Sequence, residues 1–105
     1  MSTGVMRLSI ELLTKRNLYE ESAISELLGG FLADLSQVTG WGVSKGPIQD
    51  GISWVTIMDK GYIAVHTVFP QDIVVIDIVS RHSLVVSEVL DIVNFWFDPY
   101  KIEVE

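Results

Sequence analysis

Ser53 and His66 are the two residues of this sequence whose types and spacing could do chemistry. A histidine can act as a general acid or base near neutral pH. Each residue also has a purely structural interpretation. A histidine in a strand more often forms hydrogen bonds within the fold, and the hydroxyl of a serine in a strand usually has no chemical role. Glu11, which alternates with Ile10 and Leu12, is a third candidate, either as a pocket carboxylate or as an exposed strand residue.

Composition excludes several other kinds of site. The 105 residues include no cysteine, so disulfides and thiolate metal sites are excluded. His66 and His82 lack the spacing to an acidic cluster that a metal site needs, and the sequence has no phosphate-binding loop or nucleophile elbow. A formal net charge of −7 argues against a nucleic-acid-binding protein, which needs a basic face. No apolar run is long enough to cross a membrane and no signal-peptide pattern is seen, so we expect a cytoplasmic location.

The hydrophobic pattern predicts the elements that position these candidates. Strands are predicted at residues 5–13, 41–45, 52–58, 62–68, 73–79 and 100–104. A capping motif from Asn17 to Glu20 opens the first helix, which ends at Thr39-Gly40. The second helix follows residues 81–83 and ends at Asp98-Pro99. We expect Gly46-Pro47 to end a strand, and turns at residues 49–51, 59–61 and 70–72.

The resulting order, β-α-β-β-β-β-α-β, predicts an α+β two-layer sandwich with two helices on one face of an antiparallel sheet. The length predicts a single domain spanning residues 1–105. Gly29-Gly30 lies inside the first helix and indicates close packing on the sheet. Trp41, Trp54 and Trp96 could stack on an adenine, although packing is the commoner use of tryptophan in a small core.

The strand at residues 73–79 is too continuously apolar to have one face in water. We expect a helix to cover one side and a second subunit to cover the other. The prediction is a two-fold symmetric homodimer with Ser53, His66 and Asp77 near the interface.

The segment Gly61-Tyr62-Ile63-Ala64-Val65-His66-Thr67 resembles the prokaryotic S-adenosylmethionine decarboxylases, whose motif reads Glu-Ser-His-Leu-Ser-Ile-His-Thr. Gly51-Ile52-Ser53, Asp77-Ile78 and Leu8-Ser9-Ile10-Glu11-Leu12 are similar to further family segments, in order and at matching separations. The resemblance therefore covers most of the chain and implies the decarboxylase fold. In that family the serine of the Glu-Ser pair cleaves the chain and becomes a pyruvoyl group, the electron sink for decarboxylation.

The resemblance also implies that this chain lacks the family's cofactor. Gly61 stands at the position of the self-cleaving serine, Lys60 replaces the preceding glutamate, and Arg81 stands at the position of the proton-donating cysteine. Ser53 and His66 match the serine and histidine that assist cleavage. We therefore expect an unprocessed chain with no pyruvoyl group and no other cofactor. A serine at position 61 would, by the resemblance, lie beside Ser53 and His66.

Two further residues follow from this comparison. Gln71 falls in the segment that resembles the family's ligand-binding turn, where a carboxylate is expected, and it joins Glu11, Ser53 and His66 as a ligand-binding candidate. Arg81 precedes the second helix, where a cation is unfavourable unless an acid such as Asp77 or Glu105 pairs with it.

Three functions are compatible with these observations. The first is a regulatory subunit or small-ligand binder linked to polyamine metabolism, whose partner is a catalytic decarboxylase paralogue or whose ligand is S-adenosylmethionine or a polyamine. The second is an enzyme with different chemistry at the inherited pocket, with His66 as general acid or base. The third is a structural domain. Thermal stabilisation by a ligand separates a binding protein from a structural domain.

Overall fold

A computed structural model describes residues 5–18, 20–50, 53–68, 72–81 and 84–105. Its elements are β1 (Met6–Thr14), α1 (Glu21–Thr39), β2 (Val43–Asp50), β3 (Ser53–Met58), β4 (Gly61–Val68), β5 (Ile73–Ser80), α2 (Val86–Phe97) and β6 (Pro99–Val104). This is the order that the sequence predicts. No helix within the described ranges is long and apolar enough to cross a membrane.

The strands form one antiparallel six-stranded sheet in the order β2-β3-β4-β5-β1-β6. The apolar stripes of α1 and α2 and one set of sheet side chains form a single buried core. Phe31 of α1 and Phe97 of α2 meet edge to face, with 5.3 Å between their ring centroids, a geometry that adds about 0.5–1.5 kcal/mol beyond burial. The α+β class is therefore confirmed, and the arrangement agrees with the predicted two layers.

Side chains alternate between the two faces of the sheet, and this decides what each strand presents to the helices. In β5, Val74, Ile76 and Ile78 are fully buried, whereas Val75 and Asp77 between them are half-buried. We call the side away from the helices the open face. It consists of Arg7, Ser9, Glu11 and Leu13 in β1, Ser53, Val55 and Ile57 in β3, Tyr62, Ala64, His66 and Val68 in β4, and Ile73, Val75, Asp77 and Val79 in β5. Coverage of β5 is thus confirmed on the helix side, and the described chain leaves the open face half-exposed.

The start of α1 differs from the prediction. The Asn17 Oδ1 atom accepts a hydrogen bond from the Glu20 backbone N–H at 3.3 Å. The helix nevertheless begins only at Glu21, and its N-cap Glu20 makes no side-chain cap. The Asn17 contact therefore closes a turn ahead of the helix instead of capping it. The predicted end is confirmed, because Gly40 adopts a left-handed conformation and its N–H bonds to the Ser36 carbonyl.

The strand β2 is longer than predicted. Gly46-Pro47 does not end a strand but lies inside β2, where two register shifts bulge the strand around it and let pairing with β3 continue. Gln49 and Asp50, predicted in a turn, are the last residues of β2. The turn predicted at residues 59–61 is confirmed at Asp59 and Lys60, whereas Gly61 is already the first residue of β4. Positions 51, 70 and 71 of the other predicted turns lie outside the described residues.

The three tryptophans pack within the fold. Trp41 and Trp54 belong to the buried core. Trp96 is half-buried on α2, and its Nε1–H donates to Asp34 Oδ2 of α1 at 2.7 Å. Packing therefore accounts for Trp41 and Trp54, whereas Trp96 also borders a depression of about 440 Å3 beside Phe95, so the stacking interpretation stays open for that residue alone.

Of the two helical glycines, Gly30 marks close packing against α2 and not against the sheet, and Gly29 marks no close packing. A Cβ atom at Gly30 would lie 2.0 Å from Cη2 of Trp96, whereas one at Gly29 would meet nothing within 4 Å. Gly30 thus makes room for the indole that bonds to Asp34, and Gly29 only weakens the helix.

This difference predicts opposite effects for one substitution at adjacent positions. Gly29→Ala should raise the free energy of unfolding by up to about 1 kcal/mol, because alanine has the higher helix propensity. Gly30→Ala should lower it by about 1–3 kcal/mol, because the Trp96 ring must leave its site. Urea denaturation of both variants beside the wild type measures the two changes. Equal stabilisation by both would show that Trp96 does not pack on Gly30.

Candidate functional site

Ser53 and His66 are brought together on the open face. Ser53 in β3 lies directly opposite His66 in β4, and the Ser53 Oγ atom is 2.7 Å from His66 Nδ1. Directly opposed side chains in an antiparallel pair have Cβ atoms about 4.5–5.5 Å apart, so this contact follows from the register alone. The structure therefore joins the two residues that the sequence singled out.

Asp77 and Ser9 extend this contact across two further strands. His66 Nε2 is 3.7 Å from Asp77 Oδ2, and the Ser9 hydroxyl donates to Asp77 Oδ1 at 2.9 Å. The imidazole tautomer decides whether Nδ1 accepts the Ser53 hydroxyl proton or donates to Ser53 Oγ, and the negative charge of Asp77 near Nε2 supports the tautomer in which Nδ1 accepts. We call Ser53, His66, Asp77 and Ser9 the polar row. It runs from β3 through β4 and β5 to β1.

A depression of about 410 Å3 lies next to the polar row. Ala64 lies directly opposite Asp77, and its small side chain leaves space that a larger residue would fill. Tyr62 and His66, the neighbours of Ala64 on the same face of β4, and Arg7 at the edge also line the depression. Ala64 itself is buried, whereas about 40% of the Asp77 and His66 side chains is exposed. The depression is thus an open pocket with an alanine floor and a polar wall.

The Gly61 position is not part of this pocket. Gly61 and His66 lie at opposite ends of β4, roughly 17 Å apart at the usual rise of a strand. The expectation that a side chain at position 61 would stand beside Ser53 and His66 is therefore wrong in this structure. The physical reason is that β4 is a continuous strand, and residues of odd and even number along it point to opposite faces.

Gly61 and Arg81 lie together at the other end of the sheet. The Arg81 backbone N–H donates to the Lys60 carbonyl at 2.8 Å. Both residues line a second depression of about 560 Å3, which shares Tyr62 and Val79 with the first. Asp77 contacts Ser9 and His66 and does not serve as the partner proposed for Arg81. The four positions taken from the family resemblance thus form two separate pairs.

Gly61 is closed in by the neighbouring strand. It pairs with Ser80, and a Cβ atom at Gly61 would lie 1.9 Å from the Val79 carbonyl oxygen and 2.9 Å from Ser80 Cα. Both of these are backbone atoms, so β4 and β5 can approach this closely only because position 61 has no side chain.

The other predicted site residues lie apart from the pocket. Glu11 is on the open face, where Val75 separates it from His66, and it is exposed to solvent. Gln71 and His82 lie outside the described residues. The structure adds Ser9, Tyr62 and Ala64, which the sequence analysis did not select. The smallness of Ala64 among larger outward residues was the one signal in the sequence that could have indicated a pocket.

The described residues contain no group of three or more His, Asp or Glu side chains that could hold a metal ion. Comparison of the sequence with models of known protein families and with curated proteins gives no match. The decarboxylase resemblance of the segment from Gly61 to Thr67 therefore remains a prediction.

Because the backbone of β5 lies so close to Gly61, a serine at this position should destabilise the fold. Gly61→Ser should lower the free energy of unfolding by about 1–3 kcal/mol or more, because its Cβ atom meets the backbone of β5. Gly42→Ser is the matched control, since a Cβ there meets only Asp59 Oδ2 at 3.8 Å, and its effect should stay within about 0.5 kcal/mol. Denaturation curves measure stability, and intact mass spectrometry should show an uncut chain for both variants. Fragments meeting between Lys60 and the new serine would contradict the prediction.

Proposed function

We propose that this chain is an unprocessed S-adenosylmethionine decarboxylase-like domain that binds a small cationic ligand on the open face and acts in the cytoplasm as a regulatory or ligand-binding subunit of polyamine metabolism. The observation that carries the proposal is the depression over Ala64, which the polar row borders. The decarboxylase reaction needs an electron sink, and the chain offers no side chain at position 61 from which a pyruvoyl group could form.

The Asp77 carboxylate and the Tyr62 ring on the pocket wall favour a cation, and Arg7, which also lines the depression, restricts the cation to their side of it. Asp77 presents a carboxylate that already accepts the Ser9 hydroxyl at one oxygen and faces the His66 imidazole with the other. Tyr62 lies on the same wall with 39% of its surface exposed, so its ring is open to a cation. The net charge of −7 adds a long-range attraction for positive ligands. A sulfonium or a polyamine ammonium group satisfies these requirements.

The apolar part of the ligand also has a place. Val79 and Tyr62 border both depressions on the open face, and Val55 and Ile57 line the second. A ligand with a charged group and an aliphatic or aromatic portion could therefore place its charge at Asp77 and its apolar portion along this continuous surface. Pockets that combine an apolar lining with a few convergent polar groups are typical of small-molecule sites.

The open face also supports the predicted association with another subunit. Apolar residues on it, including Ile57 and Val68, expose about 40% of their surface. A second copy of the chain, or a catalytic decarboxylase paralogue, would remove this surface from water. In this proposal the ligand pocket borders the subunit interface.

Binding of a cationic ligand predicts a charge-dependent thermal shift. S-adenosylmethionine or spermidine should raise Tm of the wild type, by an amount that corresponds to about 2.7 kcal/mol when the free ligand is a hundredfold above Kd. Asp77→Asn keeps the shape of the side chain and should lose most of the shift. Asp91→Asn, the same change on the exposed side of α2, should keep it. Differential scanning fluorimetry provides the measurement, and no shift of the wild type with either compound would refute ligand binding as proposed.

A second candidate function is hydrolysis with His66 as general base. The contact between Ser53 Oγ and His66 Nδ1, with Asp77 behind the ring, orders a nucleophile, a base and an orienting carboxylate as in hydrolase triads. It ranks second because an acyl-transfer site also needs free N–H groups for an oxyanion. Ser53 instead lies in β3, which pairs with β2 on one side and with β4 on the other, so the strand pairing already occupies the backbone around it.

This alternative predicts hydrolysis of an activated ester such as p-nitrophenyl acetate. The wild-type rate should fall to background in both Ser53→Ala and His66→Ala, because the hydroxyl needs the base. Ser25→Ala, at an exposed position of α1, is the control and should retain the rate. A wild-type rate equal to that of buffer alone would exclude this function.

A further inference from the structure

The two edges of the sheet differ in how open they are to pairing. At one edge, β2 carries two register shifts and Pro47, which has no N–H to donate. At the other edge, β6 begins with Pro99 and has one register shift at its start, where Tyr100 is the extra residue. From Lys101 to Val104 the strand is regular and, within the described residues, pairs only with β1. This part of the β6 edge is therefore open to pairing with another strand.

The hydrogen-bond pattern fixes which residues of β6 point outward. Ser9 and Glu105 exchange both backbone hydrogen bonds, at 3.3 and 2.8 Å. Because bonded and non-bonded pairs alternate in an antiparallel ladder, Glu103 and Lys101 also direct their N–H and C=O groups to β1. Ile102 and Val104 consequently direct theirs to the free edge.

We propose that β6 pairs antiparallel with β6 of a second copy of this chain, about a two-fold axis at Ile102, so that Lys101 of each chain lies opposite Glu103 of the other. Ile102 then faces its own symmetry mate as a bonded pair, and Tyr100, beside the register shift, lies opposite Val104 on either side. Lys101 and Glu103 form the non-bonded pairs, in which side chains approach most closely. The two sheets join into one continuous sheet.

The charge pattern selects this register over its neighbours. A centre at Lys101 would place two lysines on the axis, and a centre at Glu103 would place two glutamates there. The Glu103 centre would also pair Lys101 with Glu105, but only the register centred on Ile102 gives two opposite-charge pairs and no like-charge pair. Lys101 and Glu103 already lie 3.9 Å apart within one chain, and both side chains are about 65% exposed. The assembled edge therefore carries four charges of alternating sign.

The position of two glutamates within one chain supports the proposed β6 pairing independently. Glu11 of β1 lies directly opposite Glu103 of β6, and like charges in this position are unfavourable. In the paired edge, a second chain would bring its Lys101 to the other side of Glu103 and offset this repulsion. The side chains toward the helices fit as well, because Tyr100 and Val104 are exposed by 55% and 41% and would cover each other.

Charge reversal tests this contact in the full chain. Lys101→Glu and Glu103→Lys each turn two attractive pairs into repulsive ones and should weaken self-association by at least about tenfold. The double variant, which carries both reversals, should restore association to near the wild-type value. Glu88→Lys, at an exposed position of α2, is the control for net charge. Sedimentation equilibrium from low to high micromolar concentration gives the association constants.

Two further measurements distinguish the edge contact from misfolding and from association through the open face. Within the monomer, Glu103→Lys removes the repulsion from Glu11 but replaces the Lys101–Glu103 pair with a repulsion between two lysines. These two effects oppose each other, so stability to urea should stay close to the wild-type value while association weakens, whereas general misfolding would lower both. Val68→Glu disrupts the open face and should leave the β6 contact intact.

Several outcomes overturn the proposal. One is a wild type that stays monomeric at every concentration, and another is an association constant that neither single reversal changes. Association that the double variant fails to restore contradicts the register. Loss of association in Val68→Glu but in neither charge reversal assigns the contact to the open face.

Discussion

In the ladder between β4 and β5, Gly61 lies opposite Ser80 and His66 lies opposite Val75, and the other features of the molecule depend on this register. It sends Ile63 and Val65 to the helices and leaves Ala64 and His66 on the open face. A shift by one residue would exchange the two sets, burying an imidazole in the apolar core. The absence of a side chain at Gly61 permits the close approach of the strands that holds the register at this end.

The sequence predicted the architecture well because its signals were local. The order of all eight elements followed from periodicity, and the ends of the helices followed from Gly40 and from Asp98-Pro99. The errors occurred where tertiary pairing overrode a local signal. Gly46-Pro47 would end an isolated strand, but β3 offers a partner on both sides of it, so the chain bulges and continues.

The candidate site was predicted only in part, for a different reason. Ser53 and His66 lie across one hairpin, so the two-residue turn at Asp59 and Lys60 sets their pairing, and the contact was within reach of the sequence. Ser9 comes from a strand distant in the chain and adjacent in space, which periodicity does not reveal. The separation of Gly61 from His66, by contrast, could have been foreseen. Five residues apart on one strand, they must point to opposite faces.

In the proposed function, one face of the sheet binds both a ligand and a neighbouring subunit, and the polar row makes these two roles compatible. An isolated buried carboxylate or imidazole would cost several kcal/mol to remove from water, on the order of the whole stability of a small domain. Here Ser53 and Asp77 each already contact His66, and Ser9 bonds to Asp77, so most of their polar contacts persist when the surface is covered. Within the polar row, the Asp77 carboxylate beside Ala64 is the group that faces the pocket and can accept a cation. A cation placed there satisfies the charge that a purely apolar neighbour would leave unpaired, which favours a ligand and a subunit together over either one alone.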